Sequence, residues 1–124
     1  MRCRGDEKKF TGVVWLEDLV SGRRPASASV HRVLFEPGAR THWHSHPRGQ
    51  VLCIATGKGR VGIAERVMQV AAGDIVYAAP QERHWHGAAP DRSLVHLAIN
   101  PSITGQPDEN TIWAEEVTER EYQR

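Results

Sequence analysis

His42, His44 and His46 alternate with Trp43 and Ser45, and His84-Trp85-His86 repeats the alternation about forty residues later. In an extended strand, side chains two apart share a face, so an H-x-H pair aims two imidazoles at one point. Neutral imidazole is the commonest metal ligand, and clustering of this kind is what a metal centre requires. Gln50 follows the bend Pro47-Arg48-Gly49, which can fold the chain back beside the first cluster, and His96 lies ten residues beyond His86. His42 precedes His44 by about 7 Å along a strand, so all three histidines of the first cluster cannot easily reach one ion. His42 is therefore read as a rim or outward residue.

The elements that must position these groups are strands. Residues 11–20, 28–35, 51–56, 61–64, 67–70, 75–79 and 94–99 are short runs rich in β-branched and aromatic types, separated by turn signals. Ser21 to Ser27 reads as a loop, and 101–111, polar with Pro and Gly, as an extended connection. Gly57-Lys58-Gly59 reads as a hairpin turn, residues 51–56 as a buried run, and 112–117 as an edge strand. Thr118-Glu119-Arg120-Glu121 has capping-box spacing for a short terminal helix. The spacing of strands and turns predicts an all-β sandwich or barrel, not alternating α and β units.

Parity assigns further residues. Pointing Arg32 outward turns His31 inward with Val33 and Phe35. His86 shares a strand face with His84. His96 lies on a strand whose other face, Val95, Leu97 and Ile99, is uniformly apolar. His86, His96 and His31 are thus acid–base candidates, while Trp43 and Trp85 are read as packing residues.

The chain of 124 residues suits one domain. Residues 1–9 are read as a frayed terminus and 10–124 as the domain. Sixteen basic residues against fifteen acidic ones give no basic field for nucleic acid or an anionic membrane surface. No apolar run is long enough to span a bilayer, and Met-Arg-Cys-Arg-Gly-Asp-Glu is not a signal peptide. Two cysteines, Cys3 in the charged tail and Cys53 in an apolar run, make no disulfide framework, so a reducing cytoplasm is expected.

The motifs resemble the cupin superfamily. Gly38, His44-Ser45-His46, Gln50 and Gly57 match the first cupin motif, with Gln50 where a Glu is usual. Gly73-Asp74, Pro80 and His84 match the second, with the Pro shifted by one, and the match covers residues 28–100. Phe35-Glu36-Pro37-Gly38-Ala39-Arg40-Thr41, His84-Trp85-His86-Gly87-Ala88-Ala89-Pro90 and His96-Leu97-Ala98-Ile99 are similar to small bacterial cupins that include manganese-dependent hydroxynitrile lyases.

The resemblance implies a single-domain, jelly-roll-like cupin β-barrel and one divalent ion held by His44, His46, Gln50 and His84. Mn²⁺ is favoured over Fe²⁺, Ni²⁺, Co²⁺ or Zn²⁺. Thr41 would lie in the pocket as a hydroxyl able to hold a substrate oxygen. A small-molecule substrate or anion is expected, with lyase chemistry on cyanohydrins, Fe²⁺-dependent dioxygenation or non-catalytic anion binding as the functions open to such a site. Two Trp-bearing segments, Val13 to Trp15 and Ile112-Trp113, suggest an apolar patch covered in a homodimer or higher homo-oligomer.

Overall fold

The computed structural model describes residues 2–21, 28–101 and 111–124. The expected loop 21–27, apart from Ser21, and residues 102–110 of the connection lie outside that description. In chain order the strands are β1 (Arg2–Arg4), β2 (Phe10–Thr11), β3 (Val14–Ser21), β4 (Ala28–Phe35), β5 (Arg40–Thr41), β6 (His44–Ser45) and β7 (Gln50–Gly62). They continue as β8 (Val67–Ala71), β9 (Ile75–Ala78), β10 (Trp85–Ala88), β11 (Leu94–Pro101) and β12 (Ile112–Trp113), and one short helix, α1 (Glu119–Tyr122), follows. The architecture is the expected all-β, antiparallel barrel with a short C-terminal helix.

One half-barrel runs β1-β3-β4-β11-β7-β9 and the other β2-β5-β10-β7-β8. β7 belongs to both. Its first part pairs with β11 and β9, and its last residues pair with β10 and β8. The turn expected at Gly57-Lys58-Gly59 is absent; the strand passes straight through it. Gly57 has φ +85°, and a Cβ there would stand 1.9 Å from the Ser93 carbonyl oxygen. The glycine is needed for close approach of a neighbouring strand, where the sequence suggested reversal of its own chain.

Residues 2–4 are also not frayed: they pair with Glu17, Leu16 and Trp15 of β3. Backbone ladder bonds need no apolar side chain, so composition gave no sign of them. The run 51–56 alternates instead of being buried throughout. Leu52 and Ile54 are in the core, whereas Val51 and Cys53 are half-buried on the outer face.

The main core, with Val14, Phe35, Leu52, Ile54 and Leu94, lies between the two half-barrels. A second cluster of Trp43, Trp85, Val117 and Tyr122 seats the C-terminal segment, so both tryptophans pack as expected. Thr118 and Glu121 form the capping box, and the Tyr122 hydroxyl donates to the Ala88 carbonyl at 2.6 Å. The segment 112–117 is a strand only at Ile112–Trp113, which pairs with β6 over the first histidine cluster. Trp113 there packs edge-on against Phe10 and lies 4.8 Å from His44, and Val14 is fully buried. The two Trp-bearing segments therefore do not form the shared outer patch expected of them.

Candidate metal centre

β6 places His44 on the inner face and leads to His46, while the antiparallel bridge between His44 and His84 brings the second cluster alongside. The candidate ligand atoms of His44, His46 and His84 lie within 4.8 Å of one another, and all three side chains are buried. Donors around an ion at about 2.2 Å stand about 3 to 4.4 Å apart, so a small contraction closes the site. The His44 Nδ1 donates to the His42 carbonyl at 2.8 Å and the His84 Nδ1 to the Glu82 carbonyl at 3.0 Å. Each bond fixes the tautomer whose Nε2 carries a lone pair. His46 Nδ1 is held 3.3 Å from the Thr111 hydroxyl.

Gln50 opens β7 beside these rings. Its Nε2 donates to Asn100 Oδ1 at 2.8 Å, which turns Oε1 to within 3.2 Å of His84 Nε2. An amide oxygen and an unprotonated imidazole nitrogen then face each other, both acceptors, with no hydrogen between them. A cation between them removes that repulsion, so the donor set fits a divalent metal. Burial holds His84 below the usual imidazole range; burial, then the neighbouring His84 and His46, holds His44 well below it. Rings kept unprotonated are competent ligands. Four neutral donors would leave the charge of a bound divalent ion uncompensated, which would suit an anion or a polarised oxygen.

His44, His46 and Gln50 line a cavity of about 560 Å³, with His84 packed behind them. His86, from β10, and His96, from β11, enter it as a pair, with His96 Nε2 3.0 Å from His86 Nδ1. Only one hydrogen fits between those nitrogens. When it belongs to His86, the His86 Nε2 is a base; when it belongs to His96, that same Nε2 is a donor. The His86 Nε2 has no protein partner. Burial, then the charge of His96, keeps His86 well below its ordinary pKa, and burial lowers His96 to about 4. Thr41 Oγ1 accepts from the His86 backbone N–H at 3.1 Å, so its own hydrogen remains for another acceptor. Phe35 packs against both rings of the pair, in a T-shaped contact with His86 and a tilted one with His96.

His31 does face the cavity, as parity required, at its mouth, where Asp18 Oδ1 holds its Nδ1 at 2.6 Å. His42 is a correction: it is buried, not at the rim, lies outside the cavity lining, and has Nε2 3.9 Å from Glu116. The C-terminal segment covers it, a long-range contact that spacing could not show. Asn100, Asp18 and Lys9 were not anticipated as cavity residues. Asn100 read only as a strand stop before Pro101, although its β11 parity with His96 carried the signal.

The cupin domain family matches residues 31–100. This chain belongs to the cupins. It is 42% identical over 124 residues, 98% of this chain and 91% of the other, to an (R)-mandelonitrile lyase of Granulicella tundricola. A cupin-like protein of Thermotoga maritima superposes with a TM-score of 0.90 at 42% identity, covering 99% of this cupin and 92% of that chain. A predicted oxalate decarboxylase of the same organism has a TM-score of 0.74 at 21% identity, with 83% and 93% covered, and shares the fold. No helix among the described residues is long and apolar enough to cross a membrane.

Proposed function

We propose that this cupin is a metal-dependent lyase that cleaves and forms cyanohydrins, with Mn²⁺ held by His44, His46, Gln50 and His84. The observation that carries the reading is the unpartnered His86 Nε2 in the same cavity as His44, His46 and Gln50, which converge with His84 as neutral donors. The likeness to a mandelonitrile lyase over nearly the whole chain supports it. Bound there, the ion supplies Lewis acidity toward a substrate oxygen.

The chain's own groups do the rest. The cyanohydrin oxygen lies within reach of the Thr41 hydroxyl, which donates to it. His86 Nε2 accepts the hydroxyl proton, with its Nδ1–H donating to His96 so that the resulting imidazolium is held by a neutral acceptor. The bond between the carbinol carbon and the nitrile carbon breaks, and its electron pair leaves with cyanide as the carbon–oxygen bond becomes a carbonyl. His86 returns the proton to cyanide, giving hydrogen cyanide and an aldehyde. His31, held by Asp18 at the mouth, is a second group able to pass a proton there. General acid–base help of this kind is worth about 10² to 10⁴ in rate. The apolar part of the wall, with Phe10, Leu16, Val33 and Trp113, suits an aryl or alkyl substituent. Free cysteines fit a reducing cytoplasm.

Mandelonitrile cleavage by the Mn²⁺-loaded protein, run with and without oxygen, tests the proposal. Benzaldehyde and cyanide released equally in both, with loss of at least about 100-fold in kcat for His86→Ala at unchanged metal content, is the expected result. Oxygen consumption in step with turnover would instead mark a dioxygenase. Tight cyanide or carboxylate binding without turnover would mark an anion-binding protein.

A further inference from the structure

The three ligand rings are not fixed alike. His44 and His84 each give their Nδ1–H to the carbonyl two residues back, that of His42 at 2.8 Å and that of Glu82 at 3.0 Å. A carbonyl only accepts, so it fixes a ring with the lone pair on Nε2. For His46 the equivalent carbonyl is that of His44. It is engaged by the His84 N–H at 2.8 Å, in the bridge that joins the two histidine clusters. His46 takes a partner from elsewhere in the chain.

β12 supplies it. Among the described residues this strand pairs with β6 and with no other. Its register sets Trp113 opposite His44 and Ile112 opposite Ser45, and one step further Thr111 stands opposite His46. Side chains two apart share a face. The Trp113 ring accordingly lies 4.8 Å from the His44 ring and the Thr111 Oγ1 3.3 Å from His46 Nδ1, while Ile112 points away, 59% exposed. The Ala114 N–H donates to the Trp43 carbonyl at 2.8 Å and the Trp43 N–H to the Glu115 carbonyl at 2.9 Å, which holds the segment in that register.

We propose that Thr111 is a positioning residue for the metal centre: its hydroxyl accepts the His46 Nδ1–H and so presents the Nε2 lone pair to the ion. This rests on the reading of His44, His46, Gln50 and His84 as ligands. A hydroxyl, unlike a carbonyl, can also donate. Were Thr111 to donate, Nδ1 would hold the lone pair and Nε2 the hydrogen, and His46 would be lost to the ion. A divalent ion takes the Nε2 lone pair and thereby selects the arrangement in which Thr111 accepts. The two His motifs thus bring the rings together, and the C-terminal segment, 65 positions beyond His46, sets the orientation of the third.

The test is a titration of Co²⁺ into chelator-stripped wild type, Thr111→Val, Thr111→Ser and Ile112→Ala, with affinity read from visible absorbance. Thr111→Val keeps the shape of a half-buried side chain and removes the hydroxyl. It should weaken Co²⁺ by about 10- to 100-fold, the usual loss when the partner that orients a ligand is removed. Thr111→Ser restores the acceptor and should stay within about threefold of wild type. Ile112→Ala, on the same strand but facing away, should match wild type. A valine variant as tight as wild type overturns the inference. So does a serine or Ile112→Ala variant as weak as the valine one, because the loss would then come from packing. A wild type that binds no Co²⁺ would sink the ligand reading itself, and the inference with it. A second measurement needs no variant. In Zn²⁺-loaded wild type, the histidine ring nitrogen resonances should place a hydrogen on Nδ1 of His44, His46 and His84; a hydrogen on His46 Nε2 overturns the proposal.

Discussion

Replacing Asn100 with Leu perturbs the metal centre without touching a ligand. In the protein, Asn100 Oδ1 takes the hydrogen of Gln50 Nε2 at 2.8 Å, and that bond alone decides which end of the amide faces His84. With Leu at 100, either the amide keeps its orientation with a buried donor unpaired or it rotates and presents NH₂ to the ion. The first costs about 1 to 3 kcal/mol, and the second removes a ligand. Loss of a partner that orients a ligand typically weakens metal affinity by about 10- to 100-fold, or about 1.4 to 2.8 kcal/mol, the same range. Asn100→Asp keeps an acceptor in place and should retain affinity within about threefold, or gain some from its charge. Isothermal titration of Mn²⁺ or Co²⁺ into chelator-stripped wild type, Asn100→Leu and Asn100→Asp reads this directly. Equal affinity in wild type and Asn100→Leu would mean that Gln50 does not depend on Asn100 to bind.

Gln50→Glu should keep the metal but weaken cyanide and carboxylate binding, since a carboxylate cancels one unit of the ion's charge; equal anion affinities by titration would remove Gln50 from the ligand set. His96 titrates at about 4 in the folded protein and about 6.5 when unfolded. Above pH 6.5 neither state binds the proton; between 6.5 and 4 only the unfolded state does, so the metal-free protein should lose up to about 3 kcal/mol as pH falls through that window. Thermal unfolding of His96→Leu should lack that part of the slope, and identical slopes would contradict it. Gly57→Ala puts a Cβ 1.9 Å from Ser93 O at φ +85° and should cost at least about 2 kcal/mol in chemical denaturation; a smaller loss would mean β7 can shift there.

Alternation carried most of what could be read before the structure. His31, Val33, Phe35 and His86 line the cavity, His84 converges with His44 and His46, and Trp43 and Trp85 pack, because a strand fixes side-chain direction to a period of two. What alternation cannot specify is the partner across a ladder. Gly57 looked like a turn because a glycine that admits Ser93 and one that reverses the chain are the same residue. His42 looked peripheral because Glu116, seventy-four positions later, was invisible to spacing. Arg2 to Arg4 looked frayed because their order comes from β3 backbone. Asn100 was missed for the opposite reason: the parity with His96 was there, but a polar residue before a proline reads first as the end of a strand.

In the proposed reaction one ion, held by three histidines and a glutamine, and the His86 base act together on a cyanohydrin. Chelator-stripped protein titrated with Mn²⁺ under oxygen-free conditions, with benzaldehyde release from mandelonitrile followed at each step, tests it most directly. The rate should rise linearly from near background and saturate at one ion per chain. Release that is independent of added metal, or absent at full loading, would contradict it.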